Sequence, residues 1–572
     1  MPPTTVIVER NVETPMRDGV ILRADVYRPQ TSGPLPVLLQ RTPYGKAFSS
    51  NAFALAAAER GYVVVVQDTR GRWASDGDGT PFVHEKADGY DTVQWAAAQP
   101  WADGAVGMWG GSYVGYTQLA AAALRPPALK AIVPTVTFCD PYTVLYRGGV
   151  LALGVVVSWG LTSQAQHAIM REPDPARRDA LTAELITAVD GMTSGTTFRH
   201  LPLETMPLIG RDGLVPFLAD MLDYTADPAT PQWQALRVPH ADLDVPALHI
   251  GGWYDIFACD TLQDYAALAS EGRASHRLLV GPWLHGPLSG YVGEVDFGYA
   301  AYDFAVLSDE LQLRWFDHWL KGEDNGITGE PPIRIFVMGD NRWRTEDIWP
   351  LPQTRYTSYY LHSGGAANSL HGDGGLSPEG PGSEPVDTYV YDPRNPVPTR
   401  GGGLCCWTAG LAAGAFDQRD IESRPDVLVY TMPPLETDLE VTGPVVVDLW
   451  AASSAPDTDF TAKLVDVGPC GFARNVCSGI VRARYRDSFT APRPLQPNAV
   501  ERYEIGLGPT SNVFKAGHRI RVEIASSNFP HFDRNLNTGE PLATGTKLQT
   551  AVQTILHDAA HPSHILLPVI PR

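Results

Sequence analysis

Apolar runs alternate with helical patterns over the first third of the chain. Continuously apolar runs, which are typical of strands buried on both faces, occupy 36–40, 62–67, 104–109 and 129–134. Patterns typical of helices occupy 52–60, 88–99 and 117–124. Because alternating strands and helices pack in layers, the pattern predicts a doubly wound, mostly parallel sheet with helices on both faces.

The pattern changes twice further along the chain. Between residues 140 and 239 the periodicity is helical without a convincing buried strand, and strands resume at 246–250 and 277–280. Past residue 350, short β-rich runs separated by turn residues follow one another with almost no helix, which predicts a sandwich or jelly roll. We therefore expect an α/β domain in two parts (1–139 and 240–349), a helical cap inserted between them (140–239) and a C-terminal all-β jelly-roll domain (350–572).

Composition excludes several classes of function. A net charge of −20 without a basic stripe argues against nucleic-acid binding. No stretch approaches the ~18 apolar residues that span a bilayer, so no membrane partner is expected. The N-terminus lacks the charged and apolar regions of a secretory signal, and we expect a cytoplasmic protein. The sequence leaves the oligomeric state open, a homo-oligomer included.

The cysteines do not suggest a metal site. There are only six, and no spacing among them resembles a zinc site. We expect all six to be reduced, partly buried thiols, including the adjacent pair Cys405 and Cys406.

Two other polar clusters also fall short of a metal site. The run that begins at Asp533 resembles a calcium loop, but its glycine is one position late and Thr544 stands where a ligating glutamate would be. His557, His561 and His564 have one neighbouring carboxylate and are interpreted as exposed loop residues. We therefore predict no metal and no other cofactor.

The segment Gly110–Gly115 carries the strongest chemical signal. Gly-Gly-Ser-Tyr-Val-Gly follows an apolar strand and precedes an alanine-rich helix. The nucleophile elbow of α/β hydrolases has this layout: a strand, a serine flanked by glycines, and a helix. Its sharp turn exposes the serine hydroxyl. Ser112 is therefore the candidate nucleophile.

The partners of such a serine follow in the order carboxylate then histidine, each in a loop after a strand. Asp255 follows the strand around 247–250, and His285 follows the strand around 278–280. An oxyanion hole needs at least two donors. One candidate is the backbone N–H of Tyr113, and the second is the Tyr44 hydroxyl in the loop after the strand at 36–40.

These motifs together resemble the cocaine-esterase-like (CocE/NonD) hydrolases, which are related to the X-prolyl dipeptidyl peptidases. The segments that carry the resemblance extend over essentially the whole chain, and they are Met16–Val20, Arg41–Tyr44, Asp68–Gly71, Gly110–Gly115, Gly252–Asp255, Gly281–His285, Asp459–Leu464 and Ser511–Phe514. The resemblance implies an α/β-hydrolase domain, a helical cap and a C-terminal jelly roll. It also implies a triad of Ser112, Asp255 and His285, with Tyr44 and the Tyr113 amide as the oxyanion hole.

The resemblance further implies an aromatic acyl pocket shared by the cap, the loop after the acid and a jelly-roll loop. The matching positions are Trp159, Phe257, Leu404, Cys405, Cys406 and Trp407. The chain departs from the family here, because Gly148-Gly149-Val150 replaces an aromatic stretch and the cysteine pair replaces bulkier side chains. Since a hydrophobic pocket discriminates by about 1–3 kcal/mol per methylene, such changes can redirect acyl preference.

We therefore expect a serine carboxylesterase whose partner is a small-molecule ester with an apolar or aromatic acyl group. An X-prolyl dipeptidyl peptidase or α-amino-acid ester hydrolase is the first alternative, and it would need a pocket carboxylate to pair with the substrate ammonium. Glu294 and Asp296 follow His285, but the sequence does not place them in the pocket. A glycan-binding protein with a degenerate hydrolase domain is the remote alternative, and an intact triad counts against it.

Overall fold

The computed structural model of the protein describes residues 5–30, 33–48, 51–224, 226–286, 288–406 and 410–571. The strands of the first part of the chain are β1 (Val6–Pro15), β2 (Ile21–Pro29), β3 (Leu35–Thr42), β4 (Val63–Asp68), β5 (Ala102–Gly111), β6 (Leu129–Thr135), β7 (Tyr146–Arg147), β8 (Val150–Leu151), β9 (Ala247–Tyr254), β10 (His276–Leu284), β11 (Tyr291–Val292), β12 (Val295–Asp296), β13 (Ile333–Val337) and β14 (Arg342–Glu346). The strands of the second part are β15 (Arg355–His362), β16 (Gly375–Ser377), β17 (Asp387–Tyr391), β18 (Leu428–Thr431), β19 (Leu439–Ser453), β20 (Asp459–Val467), β21 (Ala473–Arg482), β22 (Glu501–Phe514), β23 (Arg519–Ala525), β24 (Ala551–Leu556) and β25 (His564–Ile570).

The α-helices of the described residues cluster in the first part of the chain. They are α1 (Asn51–Glu59), α2 (Glu85–Ala97), α3 (Tyr113–Ala123), α4 (Pro141–Leu145), α5 (Leu153–Trp159), α6 (Gln166–Met170), α7 (Pro175–Ser194), α8 (Phe217–Asp223), α9 (Pro231–Leu236), α10 (Ala258–Glu271), α11 (Asp303–Val306), α12 (Ser308–Lys321) and α13 (Arg419–Glu422). Six of them, α4 to α9, lie between β6 and β9, where a helical insertion is predicted.

Within the described part of the chain, ten strands form one sheet in the order β1-β2-β4-β3-β5-β6-β9-β10-β13-β14. The strands from β4 to β13 pair in parallel, whereas β1, β2 and β14 join the edges antiparallel. Helices cover both faces of this sheet. On one face, Leu38 and Val64 pack in a core cluster that includes residues of α1 and α12. On the other face, Val37 and Val63 pack in a cluster that includes residues of α2 and α3. The predicted doubly wound sheet is confirmed.

The second part of the chain is built from strands, as predicted. Among the described residues, eleven strands form a second hydrogen-bonded sheet system, nearly all of it antiparallel, around a core that includes Phe460 and Tyr503. One of its loops also contacts the helical insertion: Asp533, held by the Arg482 guanidinium of β21 (2.8 Å), accepts a hydrogen bond from the Leu151 N–H of the insertion (3.0 Å).

The interpretation of the three late histidines as exposed loop residues is wrong for two of them. His557 is buried, and its ring lies 2.9 Å from Asp387 Oδ2 and 3.2 Å from Glu384 Oε2. His564 is the first residue of β25. Sequence spacing did not reveal these carboxylate partners of His557, because they are 173 and 170 positions earlier in the chain, just before and at the start of β17, which pairs with β24.

Among the described residues, no helix is both long enough and apolar enough to cross a lipid bilayer.

The helical insertion and the β domain meet closely at the β7–β8 hairpin. Gly148, in its turn, has a φ of +54°, and a Cβ added there would lie 2.0 Å from the Ile480 carbonyl oxygen. The Gly148 carbonyl also accepts a 2.8 Å hydrogen bond from the Arg482 N–H. This contact therefore requires a residue without a side chain.

We predict that Gly148→Ala lowers the free energy of unfolding by about 2 kcal/mol or more, because it adds a backbone clash to left-handed strain. The measurement is the midpoint of urea or thermal unfolding. Gly195→Ala is the matched control, since Gly195 has a similar φ of +78° but nothing within 4 Å of an added Cβ. Equal shifts in the two variants would contradict the proposed interface contact.

Candidate active site

Ser112 is the single residue between β5 and α3. Its backbone adopts φ +60° and ψ −130°, a conformation that costs a non-glycine residue about 1–3 kcal/mol. The surrounding structure holds it there: the Ser112 N–H donates to the Thr135 carbonyl (2.9 Å), and the Ser112 carbonyl accepts from the Gly115 N–H and the Thr137 hydroxyl, each at 2.8 Å. This is the geometry of a nucleophile elbow.

The glycines of the motif are required by close packing. A Cβ on Gly110, whose φ is +130°, would lie 2.4 Å from Val114 Cγ1. A Cβ on Gly115 would lie 2.5 Å from the Thr137 Cβ. The helix α3 therefore approaches β5 and the loop after β6 so closely that only hydrogen fits at these two positions.

The structure brings the predicted acid, base and nucleophile together. His285 Nε2 lies 3.0 Å from Ser112 Oγ, and His285 Nδ1 lies 2.7 Å from Asp255 Oδ1. The Asp255 carboxylate is fully buried, and the His285 ring is 11% exposed. Since the ionised carboxylate can only accept, it selects the tautomer with hydrogen on Nδ1 and leaves Nε2 to accept the serine proton.

The two donors of the predicted oxyanion hole come from different elements. Tyr113 is the first residue of α3, so its N–H has no acceptor within the helix. The Tyr44 hydroxyl comes from the loop after β3. Although 36% of the Tyr44 residue is exposed, burial of its hydroxyl raises the pKa of Tyr44, while interactions with Trp159 and Ser112 oppose the shift. The phenol therefore stays protonated at neutral pH and can donate.

Three side chains fix the position of Tyr44. The carbonyl of the preceding Pro43 accepts hydrogen bonds from Arg72 Nε (3.2 Å) and Trp73 Nε1 (3.0 Å). Trp159 Nε1 donates to the Tyr44 hydroxyl oxygen (3.2 Å), which leaves the phenol hydrogen available to another acceptor. Trp159, predicted as a pocket residue, thus also contacts the predicted oxyanion donor.

Aromatic rings continue from the triad into the helical insertion. The Phe257 ring lies edge-on to the His285 ring, with centroids 4.9 Å apart, and Phe138 packs on the other side of Phe257, also at 4.9 Å. Trp159 contacts the ring of Phe82 at 6.1 Å. These rings belong to one apolar cluster with the buried Leu404.

The loop from the β domain reaches this cluster through residues 403–406. A Cβ on Gly403 would lie 2.9 Å from the Asp255 carbonyl oxygen, so this loop packs directly on the acid loop. Cys405 is partly buried against the apolar cluster, whereas Cys406 is exposed. Trp407 lies outside the described residues.

The prediction that all six cysteines are reduced thiols is wrong for the adjacent pair. Cys405 and Cys406 form a disulfide, whereas Cys139, Cys259, Cys470 and Cys477 are free. The pair therefore adds one rigid, compact group to the pocket loop in place of two separate thiols.

Comparison with known proteins places this site in a family. The X-Pro dipeptidyl-peptidase (S15 family) model matches residues 18–287, and the X-Pro dipeptidyl-peptidase C-terminal non-catalytic domain matches residues 325–566. The cocaine esterase of Rhodococcus sp. (strain MB1 Bresler) is 42% identical over 583 residues, which cover 99% of each chain. The chain belongs to the cocaine-esterase-like (CocE/NonD) hydrolases.

Two solved structures show the range of this wider group. An aminopeptidase from a marine sediment Thaumarchaeota archaeon has a TM-score of 0.80 at 26% identity, with 100% of this chain and 97% of that chain covered. An α-amino-acid ester hydrolase has a TM-score of 0.79 at 26% identity, with 99% and 97% covered. The fold is therefore shared by hydrolases with different substrates, and the pocket has to distinguish them.

Sequence reasoning missed several residues of the site. Phe82 and Phe138 belong to the aromatic cluster, and the Thr137 hydroxyl donates a hydrogen bond to the Ser112 carbonyl in the elbow. Phe138 and Thr137 follow β6 directly, and this position at the carboxyl edge of a parallel strand is the signal that could have identified them.

We predict that Gly110→Ala lowers kcat about 100-fold, because the added Cβ meets Val114 and displaces the serine from its base. The measurements are ester hydrolysis and labelling of the serine by a fluorophosphonate. Gly104→Ala is the control on the same strand, with φ +97° and nothing within 4 Å of its added Cβ. Full activity of a folded Gly110→Ala variant would contradict this account of the elbow.

Proposed function

We propose that the chain is a serine carboxylesterase that hydrolyses esters with an apolar or aromatic acyl group through an acyl-enzyme. The observation that carries the proposal is the hydrogen-bonded series Ser112–His285–Asp255, with a protonated phenol beside the serine and aromatic rings beside the histidine. Relatedness to cocaine esterase over nearly the whole chain supports it.

The first half of the proposed reaction forms the acyl-enzyme. Ser112 Oγ attacks the ester carbonyl carbon while His285 Nε2 takes the hydroxyl proton, and Asp255 stabilises the resulting imidazolium. The negative charge that develops on the carbonyl oxygen is held by the Tyr44 hydroxyl and the Tyr113 N–H. The tetrahedral intermediate then expels the alcohol, which takes the proton from His285.

Water completes the reaction through the same groups. His285 accepts a proton from water, the hydroxide attacks the acyl carbon, and the same two donors hold the second oxyanion. Collapse of this intermediate releases the acid and returns the proton to Ser112. No further group is needed to balance the steps.

The acyl preference follows from the neutral walls beside the triad. Phe257, Phe138, Trp159 and Leu404 supply apolar surface there. The nearby Glu85 is engaged by Arg41 at 2.7 Å and by the Tyr113 hydroxyl at 2.9 Å. A neutral aromatic or branched aliphatic acyl group suits these walls better than a charged one.

The alternative of an aminopeptidase or amino-acid ester hydrolase has a specific difficulty. It needs a carboxylate available to a substrate ammonium, and the two candidates from the sequence are not suitably placed. Glu294 binds the Arg400 guanidinium (3.1 Å) and the Asp417 N–H (2.9 Å), and Asp296 is exposed on β12. We therefore favour the esterase.

The domain boundaries after residues 139, 239 and 349 form part of this proposal, with the middle segment as a cap over the site. The run of helices α4–α9 and the position of Trp159 at the end of α5 support it. The cytoplasmic location stays a prediction from the sequence.

We predict that the protein hydrolyses p-nitrophenyl benzoate or butyrate at least about 100-fold more efficiently, in kcat/KM, than it hydrolyses Gly-Pro-p-nitroanilide. The physical reason is that the buried ammonium of the anilide lacks a counter-charge in the aromatic pocket. Ser112→Ala should fold normally and lose about 10⁶-fold in kcat, as removal of the nucleophile does in other serine hydrolases. Preference for the anilide would favour the peptidase, and undiminished ester turnover by Ser112→Ala would refute the nucleophile.

We predict that Tyr44→Phe lowers kcat by about 10²- to 10³-fold with little change in KM, because it removes one oxyanion donor but keeps the ring. Because the pKa of Tyr44 is raised above its ordinary value, its hydroxyl stays protonated at every pH up to that ordinary value. The ratio of wild-type to variant kcat should therefore be constant between pH 6 and pH 9. Trp159→Phe, which removes the indole donor to Tyr44 and reduces ring contacts but keeps the Tyr44 hydroxyl, should have the smaller effect. A ratio that varies steeply with pH would contradict the role of a neutral phenol.

A further inference from the structure

A cluster of cysteine, histidine and aspartate lies where the helical insertion joins the α/β domain. Cys139 is in the loop after β6, directly before the insertion, and His240 begins the short turn that leads out of it. The two ends are held together by a 2.8 Å hydrogen bond from the Val238 N–H to the Cys139 carbonyl. Asp264, on α10, faces both residues.

The potential ligand atoms of the three side chains all lie within 4.8 Å of one another. His240 Nε2 is 2.7 Å from Asp264 Oδ1, and Asp264 Oδ2 accepts a 2.8 Å hydrogen bond from the Cys139 N–H. Cys139 and Asp264 are buried, whereas the His240 side chain is 27% exposed. An ion could therefore reach the cluster from the side of His240.

We propose that Cys139, His240 and Asp264 bind a divalent transition metal of the zinc type. Thiolate, imidazole and carboxylate are the ligands that Zn²⁺ prefers, and three protein ligands leave a fourth position for water. One thiolate and one carboxylate balance the charge of the ion.

Metal binding requires the three ligand atoms, which lie within 4.8 Å of one another, to adopt the separations of a tetrahedral site. Two ligand atoms on a tetrahedral zinc are about 3.3 Å apart, so His240 has to withdraw from Asp264 by about half an ångström. The ring of His240 can do so because it lies at the surface. The backbone hydrogen bond from Cys139 to Asp264 Oδ2 does not involve the thiol and can persist.

The position of the cluster suggests what the metal does. It would link both ends of the insertion to α10, and thereby close a long loop whose ordering is entropically costly. The same elements support the active site: the Thr261 hydroxyl on α10 donates to the Thr137 carbonyl (3.1 Å), and the Thr137 hydroxyl donates to the Ser112 carbonyl. The metal is thus a clamp at the base of the cap and takes no part in the ester chemistry.

The test is titration of the chelator-treated protein with ZnCl₂ and, separately, with CoCl₂. We expect one equivalent of either metal to bind, an increase in the unfolding temperature with zinc, and a thiolate-to-cobalt charge-transfer band in the near ultraviolet. Cys139→Ser and His240→Gln should each weaken zinc binding by at least about tenfold, and Cys139→Ser should abolish the cobalt band.

Two control variants separate this site from other thiols and histidines. Cys259→Ala removes a free thiol on α10 outside the cluster, and His561→Gln removes a histidine of the β domain that lies beside Asp558. Both should keep the stoichiometry and the cobalt band of the wild type. The proposal is overturned if the wild type binds no zinc at tens of micromolar, if the band is absent, or if Cys139→Ser binds as tightly as the wild type.

Discussion

The left-handed backbone at Ser112 is the constraint on which the rest of the site depends. A serine does not adopt φ +60° unless its neighbours leave no alternative. Here the constraints are the close contacts at Gly110 and Gly115, which leave room for hydrogen but for no side chain, and the hydrogen bonds to Thr135 and Thr137. Three of these four contacts involve β6 or the loop after it, and the fourth involves Val114 of α3. The conformation of the elbow is therefore held by the folded sheet and not by residues 110–115 alone. The packing of α3 on β5 and β6 offsets the local strain.

The parallel sheet then determines where the other groups lie. Because β5, β6, β9 and β10 are consecutive neighbours in the sheet, the residues that follow them emerge at one edge. Ser112, Thr137, Asp255 and His285 are those residues. Ser112 and His285, 173 positions apart in the chain, meet within hydrogen-bonding distance in this way. The insertion after β6 begins at this same edge.

The sequence predicted those features that depend on particular residue types occurring in a fixed order along the chain. The juxtaposition of Ser112, His285 and Asp255 and the two sheet architectures depend on local patterns in a fixed order along the chain, and these could be predicted. The oxyanion role of Tyr44 stays a prediction. Contacts made only by tertiary packing could not be predicted. The hydrogen bond from Trp159 to Tyr44 joins the insertion to a loop after β3, and the cluster of Cys139 and His240 spans the whole insertion. Spacing along the sequence does not reveal pairs that meet only in the folded structure. Cysteine spacing therefore gave no indication of the proposed metal site.

The family relationship indicates the reaction, hydrolysis by a serine nucleophile, more clearly than it indicates the substrate. Related folds include an aminopeptidase and an amino-acid ester hydrolase, so the shared frame accommodates charged and neutral acyl groups alike. In this chain, Glu85 is already neutralised by Arg41, and Glu294 by Arg400. Releasing either carboxylate for a substrate ammonium would leave its arginine without its partner, at a cost on the order of several kcal/mol for the buried Arg41. The proposed preference for a neutral acyl group therefore rests on these ion pairs as well as on the aromatic rings beside the triad.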